Sequence, residues 1–128
     1  MPARILAVDA NLEMRALIAE VLAADGHDVE CVANGAAALV LLKQQSTFDL
    51  VLGDLTIPAI EGAHLYWEIG RRWPELEPRL ICVTDGHDAG AIDHATLRAA
   101  SVPFLVKPFS PEHLRDVVTR TLARGAPP

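Results

Sequence analysis

With 128 residues, of which 51% are hydrophobic and 22% charged, the chain has the size and composition of one globular domain, which argues against disorder and against two full domains. Its formal net charge of −6 repels phosphate backbones, so direct binding of nucleic acid is not expected. The longest apolar run, residues 36–42, is far shorter than the roughly 20 residues that cross a bilayer, so we expect no membrane contact. The first residues contain no apolar signal segment, so we expect a cytoplasmic location.

Short apolar runs alternate with helical patterns from one end of the chain to the other. Three residues are typical helix N-caps and precede apolar residues at helical spacing, namely Asn11, Asn34 and Ser110. Strands are predicted over residues 5–8, 29–32, 50–54, 80–83 and 104–106. Helices are predicted from Asn11 to Gly26, from Asn34 to about residue 45, over 62–73, over 89–100 and from Ser110 to Gly125.

Five strands and five helices in strict alternation indicate an α/β fold. Because most of the strands are unbroken apolar runs, they are expected to lie in a parallel sheet that is buried on both faces. Right-handed crossovers then give a flavodoxin-like, doubly wound sheet with the strand order 2-1-3-4-5. This order leaves a crevice between the first and third strands, at the carboxyl edge of the sheet.

Four of the five predicted strands end in a polar residue that can take part in chemistry: Asp9, Asp54, Thr84 and Lys107. Parallel strands place these ends on one edge, with the two aspartates beside the crevice. Neighbouring carboxylates repel each other unless cations neutralise them, and Lys107 with Mg²⁺ would do so. This set suits a phosphoryl group, with Asp54 as nucleophile, Lys107 as countercharge, Thr84 as hydroxyl donor and Asp9 as metal ligand.

Cys31 and Cys82 each lie among apolar β-forming residues. We interpret both as free, buried thiols. Since the chain has no CxxC pattern and no Cys/His pair at ligand spacing, a zinc site is not expected.

Two segments resemble the response-regulator receiver domain of two-component signalling. DLVLGDLTIPAIEG (residues 49–62) is similar to the phosphoacceptor strand and loop of that family, and FLVKPF (residues 104–109) is similar to its fifth-strand signature. The resemblance covers residues 4–122 and implies a single receiver domain over 1–128, with a core of about 4–123 and a tail or linker stub at 124–128. The segment around Trp73 and Pro74 resembles receivers attached to hybrid sensor kinases.

The resemblance implies a regulatory phosphoacceptor rather than an enzyme. Any reaction that the domain catalyses by itself would be limited to self-phosphorylation from small donors and self-dephosphorylation. A histidine kinase or phosphotransfer protein would phosphorylate Asp54, with Mg²⁺ bound by Asp9, Asp54 and the backbone carbonyl of Thr56. The resemblance also implies a cis bond between Lys107 and Pro108. Thr84 and Phe104 would switch the face formed by the fourth helix, fifth strand and fifth helix, where a downstream protein binds.

The sequence departs from the family pattern at two positions. Ala10 stands where the family has a second acid, which predicts weak Mg²⁺ binding, and Asp85 follows Thr84 where the family has a small residue. Asp85 or Glu13 is a candidate substitute ligand, although Glu13 also suits the first turn of a helix. Two alternatives therefore stay open: a degenerate receiver that acts as a phosphorylation-independent interaction module, and a hydrolase with Asp54 as nucleophile. The second lacks a further acid or base near the nucleophile.

Overall fold

The computed structural model describes residues 2–44, 48–54, 58–60, 63–84 and 103–123. Its strands form a five-stranded parallel sheet and a separate two-stranded antiparallel hairpin. In chain order the elements are β1 (Arg4–Val8), α1 (Leu12–Ala24), β2 (Asp28–Val32), α2 (Gly35–Gln44), β3 (Leu50–Gly53), β4 (Pro58–Ile60), β5 (Ala63–His64), α3 (Leu65–Arg72), a 3₁₀ helix (Pro74–Arg79), β6 (Leu80–Thr84), β7 (Phe104–Val106) and α4 (Pro111–Ala123).

The strand order of the main sheet confirms the predicted fold. It is β2-β1-β3-β6-β7, which reads 2-1-3-4-5 when only the strands of this sheet are counted. Every neighbouring pair is parallel. The chain therefore has the doubly wound, flavodoxin-like architecture, with the order reversal between β1 and β3.

Helices cover both faces of the sheet, which explains why the strands are apolar without alternation. Successive β1 residues point to opposite faces, Leu6 and Val8 to one and Ile5 and Ala7 to the other, and all four are fully buried. The first face packs against α2 and α3 through Ala38, Leu39, Leu42, Leu65 and Ile69. The second packs against α1 and α4 through Ile18, Val21, Leu22, Leu114, Val117 and Val118.

The predicted N-caps form as expected. Asn11 Oδ1 accepts the Met14 N–H at 3.0 Å, Asn34 Oδ1 accepts the Ala37 N–H at 2.8 Å, and Ser110 Oγ accepts the His113 N–H at 3.0 Å. Each bond satisfies a backbone donor that the first helical turn leaves unpaired. These local signals fix where α1, α2 and α4 begin.

The prediction for the third helix was too long. Residues 58–60 and 63–64 pair as the hairpin β4–β5, so α3 begins at Leu65 rather than at residue 62. The 3₁₀ helix after α3 was not predicted. It begins at Pro74, whose fixed φ suits a first helical position and whose missing N–H prevents α3 from continuing. The helix predicted over 89–100 lies outside the described residues.

Both cysteines are free thiols, but the prediction of burial is wrong for one of them. Cys82 is fully buried in the centre of the sheet, whereas Cys31 is exposed. The reason is that β2 is an edge strand, so its residues are less completely covered than those of β1 or β3. Among the described residues, no helix combines the length and the apolar character that a membrane span requires.

Candidate functional site

The register of β1 and β3 places two aspartates side by side at the carboxyl edge. Val8 and Gly53 are partners in the ladder, and Asp9 and Asp54 directly follow them. The Asp54 N–H donates to the Val8 carbonyl at 3.0 Å, which extends the pairing to the end of the strands. Since adjacent strands are about 4.8 Å apart, these carboxylate-bearing residues are close neighbours across the crevice.

Gly53 permits this close pairing of the two strands. Its φ is +148°, and a Cβ built on it would lie 2.0 Å from the Val8 carbonyl oxygen. No side chain fits at that distance. Only glycine therefore allows the backbone of β3 to approach β1 this closely, immediately before Asp54.

Lys107 contacts the first of these aspartates although 98 residues separate them in sequence. Lys107 Nζ donates to Asp9 Oδ2 at 2.8 Å, and the side chains of Lys107 and Asp9 are 27% and 4% exposed. Asp9 Oδ1 accepts the backbone N–H of Asn11 at 2.8 Å. A buried carboxylate is tolerated when it is paired and hydrogen-bonded, and both oxygens of Asp9 meet that condition.

The four strand ends meet at one edge, as the sequence predicted. Thr84 ends β6 and pairs in register with Val106, and Lys107 follows directly. The Lys107–Pro108 bond is cis, as the resemblance implied. The chemical roles assigned to Asp9, Asp54, Thr84 and Lys107 remain predictions.

Arg15 also belongs to this site, although the sequence did not predict it. Arg15 Nη1 donates to the backbone carbonyl of Asp9 at 2.7 Å. Arg15 lies near the start of α1, where the helix dipole disfavours a positive charge. The local sequence therefore did not predict a role for Arg15, because its contact depends on the fold.

On the β6 side, the residue before Asp54 has a buried cysteine as its neighbour. Cys82 is in register with Gly53 and has no exposed surface. Burial, and to a lesser extent the negative charge of Asp54, raises the pKa of the Cys82 thiol to about 12. Cys82 is therefore a neutral packing residue, while Asp54 is half-buried beside it.

A shallow cavity of about 370 Å³ adjoins Lys107 at the start of α1. Glu13, proposed as a substitute metal ligand, contributes to this cavity and is exposed. The residues that line it are Asn11, Glu13, Met14, Leu17 and Lys107. The cavity leaves the Lys107 side of the site accessible from solvent.

The residues at this edge fit Mg²⁺, but with few protein donors. Asp9 and Asp54 supply hard carboxylate oxygens, which Mg²⁺ prefers, and this ion commonly keeps several waters. Ala10 is exposed and offers no side-chain oxygen. Within the described ranges, no cluster of three or more His, Cys, Asp or Glu side chains could hold a metal. Thr56 and Asp85, the other predicted or candidate donors, lie outside these ranges.

The family is identified by sequence and by structure. Residues 5–119 match the response regulator receiver domain. The chain belongs to this family. It is 34% identical to the chemotaxis protein CheY of Bacillus subtilis over 124 residues, which cover 95% of this chain and 99% of that protein. It is 32% identical to the response regulator protein FleR of Pseudomonas aeruginosa over 94% of this chain, but spans only 24% of the length of FleR.

Solved structures of response regulators agree with this assignment. A putative response regulator from Chloroflexus aurantiacus superposes with a TM-score of 0.78 at 26% identity, over 97% of this chain and all of that one. CheY4 of Vibrio cholerae gives a TM-score of 0.75 at 26% identity, over 94% of this chain and 99% of that one. The chain is thus a receiver domain of two-component signalling, and its family is regulatory rather than catalytic.

Proposed function

We propose that this receiver domain is a phosphoacceptor and that Asp54 carries the phosphoryl group. The observation that supports this most is the ion pair between Lys107 and Asp9, at the strand end that lies in register beside Asp54. A half-buried carboxylate flanked by a fixed ammonium and a second carboxylate suits phosphoryl transfer, because the ammonium can balance charge on the phosphoryl oxygens.

Four residues of the chain have separate roles in the proposed phosphoryl transfer. An oxygen of the Asp54 carboxylate attacks phosphorus and forms an acyl phosphate, while the bond from phosphorus to the donor breaks and the donor keeps that electron pair. Lys107 places positive charge near the incoming group, and Asp9 holds Lys107 in place. The Thr84 hydroxyl has the role of donating to a phosphoryl oxygen.

Mg²⁺ belongs to this proposal as the cofactor. The residues that would hold it are Asp9, Asp54 and the backbone carbonyl of Thr56. When bound, it neutralises charge on the transferring phosphoryl group. Because Ala10 supplies no acid, we expect the ion to bind weakly.

The partners follow from the family. A histidine kinase or a phosphotransfer protein is the phosphodonor, and a downstream protein binds the switching face predicted from the sequence, of which β7 and α4 belong to the described residues. On β7, Val106 is 51% exposed and would be available to such a partner. We further propose that residues 1–128 form one domain with its core at about 4–123, and that the domain acts in the cytoplasm.

One observation favours a second candidate function. Both carboxylate oxygens of Asp9 already accept hydrogen bonds from protein groups, and Ala10 adds no ligand. A degenerate receiver that binds its partner without phosphorylation would need no metal site, so it is consistent with this arrangement.

Intact-mass measurement separates the two candidates. The protein is incubated with acetyl phosphate and Mg²⁺, alongside Asp54→Asn as the matched control. The phosphoacceptor predicts that the wild type gains the mass of one phosphoryl group and that Asp54→Asn does not. No gain in the wild type, even at high Mg²⁺, would favour the degenerate receiver.

A further inference from the structure

Two cationic side chains bind the same residue at the candidate metal site. Lys107 Nζ donates to the carboxylate of Asp9 at 2.8 Å, and Arg15 Nη1 donates to the backbone carbonyl of Asp9 at 2.7 Å. Both cations are partly shielded from solvent, since Arg15 and Lys107 are each half-buried. Asp9 is thus the expected ligand of a cation and already lies between two positive charges.

The charge of Arg15 acts on its surroundings. Cys31 on β2 is exposed overall, but partial burial of its sulfur raises the pKa of the thiol, and the positive charge of Arg15 opposes that rise. The Cys31 thiol donates to the Arg15 backbone carbonyl at 3.7 Å, so Arg15 lies against β2, whereas Lys107 follows β7 at the opposite edge of the sheet. The hydrogen bond to the Asp9 carbonyl fixes this position.

Because residue 10 is alanine, the positive charge of Arg15 has a larger effect on a cation bound at Asp9. Ala10 directly follows Asp9, it is exposed and it has no charge, so no carboxylate at this position offsets Arg15. Glu13, the nearest acid on α1, is exposed, where solvent screens it strongly. Arg15 therefore repels a divalent ion bound at Asp9, and one carboxylate that the family pattern provides to attract that ion is missing.

We propose that Arg15 is a positioning residue that sets the Mg²⁺ affinity of the site. Through its bond to the Asp9 carbonyl it holds a positive charge beside the metal ligand, and this charge weakens Mg²⁺ binding. The inference rests on the part of the proposed function that makes Asp9 a ligand of Mg²⁺. It does not require that Asp54 be phosphorylated.

Calorimetric titration of the unphosphorylated full chain with Mg²⁺, at constant ionic strength, tests the proposal. Arg15→Met removes the charge and keeps an apolar stem, whereas Arg15→Lys keeps the charge. Arg120→Met is the matched control, because it changes the net charge equally at an exposed pair with Asp116 in the last turns of α4. Removing one charge about 6–10 Å from a divalent ion should tighten binding about three- to tenfold.

We expect Arg15→Met to bind Mg²⁺ about three- to tenfold more tightly than the wild type, and Arg15→Lys and Arg120→Met to match the wild type. A merely structural role for Arg15 would loosen the site and weaken binding instead. If Arg15→Met binds no more tightly than the wild type, or if neither protein binds Mg²⁺, the inference is wrong. A failure of the proposed function appears separately, as the absence of a mass gain at Asp54 in the phosphodonor experiment.

Discussion

Lys107 and Asp9 form a 2.8 Å ion pair that joins the loop after β7 to the end of β1. The Asp9 side chain is 4% exposed, and its two carboxylate oxygens accept hydrogen bonds from this partner and from the Asn11 N–H. The contact connects the ends of the first and last strands of the sheet in chain order. It is therefore both a structural contact and the central electrostatic feature of the site.

Lys107→Met should destabilise the fold, because it leaves the buried Asp9 carboxylate without its cation. We expect the free energy of unfolding to fall by about 1–3 kcal/mol, as measured by urea denaturation. Lys43→Met is the matched control, since Lys43 is exposed at the end of α2 and its loss should change stability by less than about 0.5 kcal/mol. Equal effects of the two substitutions would show that the pair contributes little.

Gly53→Ala should prevent normal pairing of β1 with β3. The new Cβ would lie 2.0 Å from the Val8 carbonyl oxygen, so the strands must separate, and we expect a loss of more than about 3 kcal/mol. Gly26→Ala is the control. Gly26 also has a positive φ, +88°, but nothing lies within 4 Å of its built Cβ, so only backbone strain of about 1–2 kcal/mol is expected. Similar thermal unfolding of the two variants would contradict this account.

The elements that the sequence predicted correctly depend on local patterns. Asn11 and Ser110 cap their helices through bonds only three residues long, and the apolar runs of the strands reflect burial on both faces. Because parallel strands end at one edge, the meeting of Asp9 with Lys107 could also be predicted. None of these inferences required knowledge of a particular tertiary contact.

The features that the sequence did not predict depend on tertiary neighbours. The close approach of Gly53 to Val8 requires the register of two strands that are far apart in sequence. Arg15 becomes part of the site only through its bond to the Asp9 carbonyl. Cys31 is exposed because β2 lies at the sheet edge. The apolar residues around Cys31 in the sequence do not show how completely other elements cover this strand.

The two thiols should differ sharply in reactivity. Iodoacetamide at mildly alkaline pH should label Cys31 in the folded protein, and its rate should increase with pH because the thiolate is the nucleophile. Cys82 is buried with a pKa of about 12, so it should react only after unfolding. Peptide mass spectrometry identifies the labelled residue, with Cys31→Ser as the control that should remain unlabelled when folded. Labelling of Cys82 in the folded protein would show that the sheet centre is not closed.

Ala10→Asp should tighten Mg²⁺ binding. It adds a carboxylate directly after Asp9, where the receiver family has a second acid, and each added carboxylate oxygen is a donor that Mg²⁺ prefers. We expect about a tenfold or larger gain in affinity by calorimetric titration. Ala10→Asn, which adds a neutral oxygen, is the matched control and should give a smaller gain. An unchanged affinity in Ala10→Asp would indicate that another residue already completes the metal shell.

The central claim is that Asp54 accepts a phosphoryl group in the pocket shared with Asp9 and Lys107. Borohydride reduction after treatment with acetyl phosphate and Mg²⁺ tests it most directly, because hydride converts an aspartyl phosphate to homoserine, which peptide mass spectrometry locates. The account predicts homoserine at position 54 in the wild type and much less of it in Lys107→Met. Homoserine at another aspartate, or at none, would contradict it.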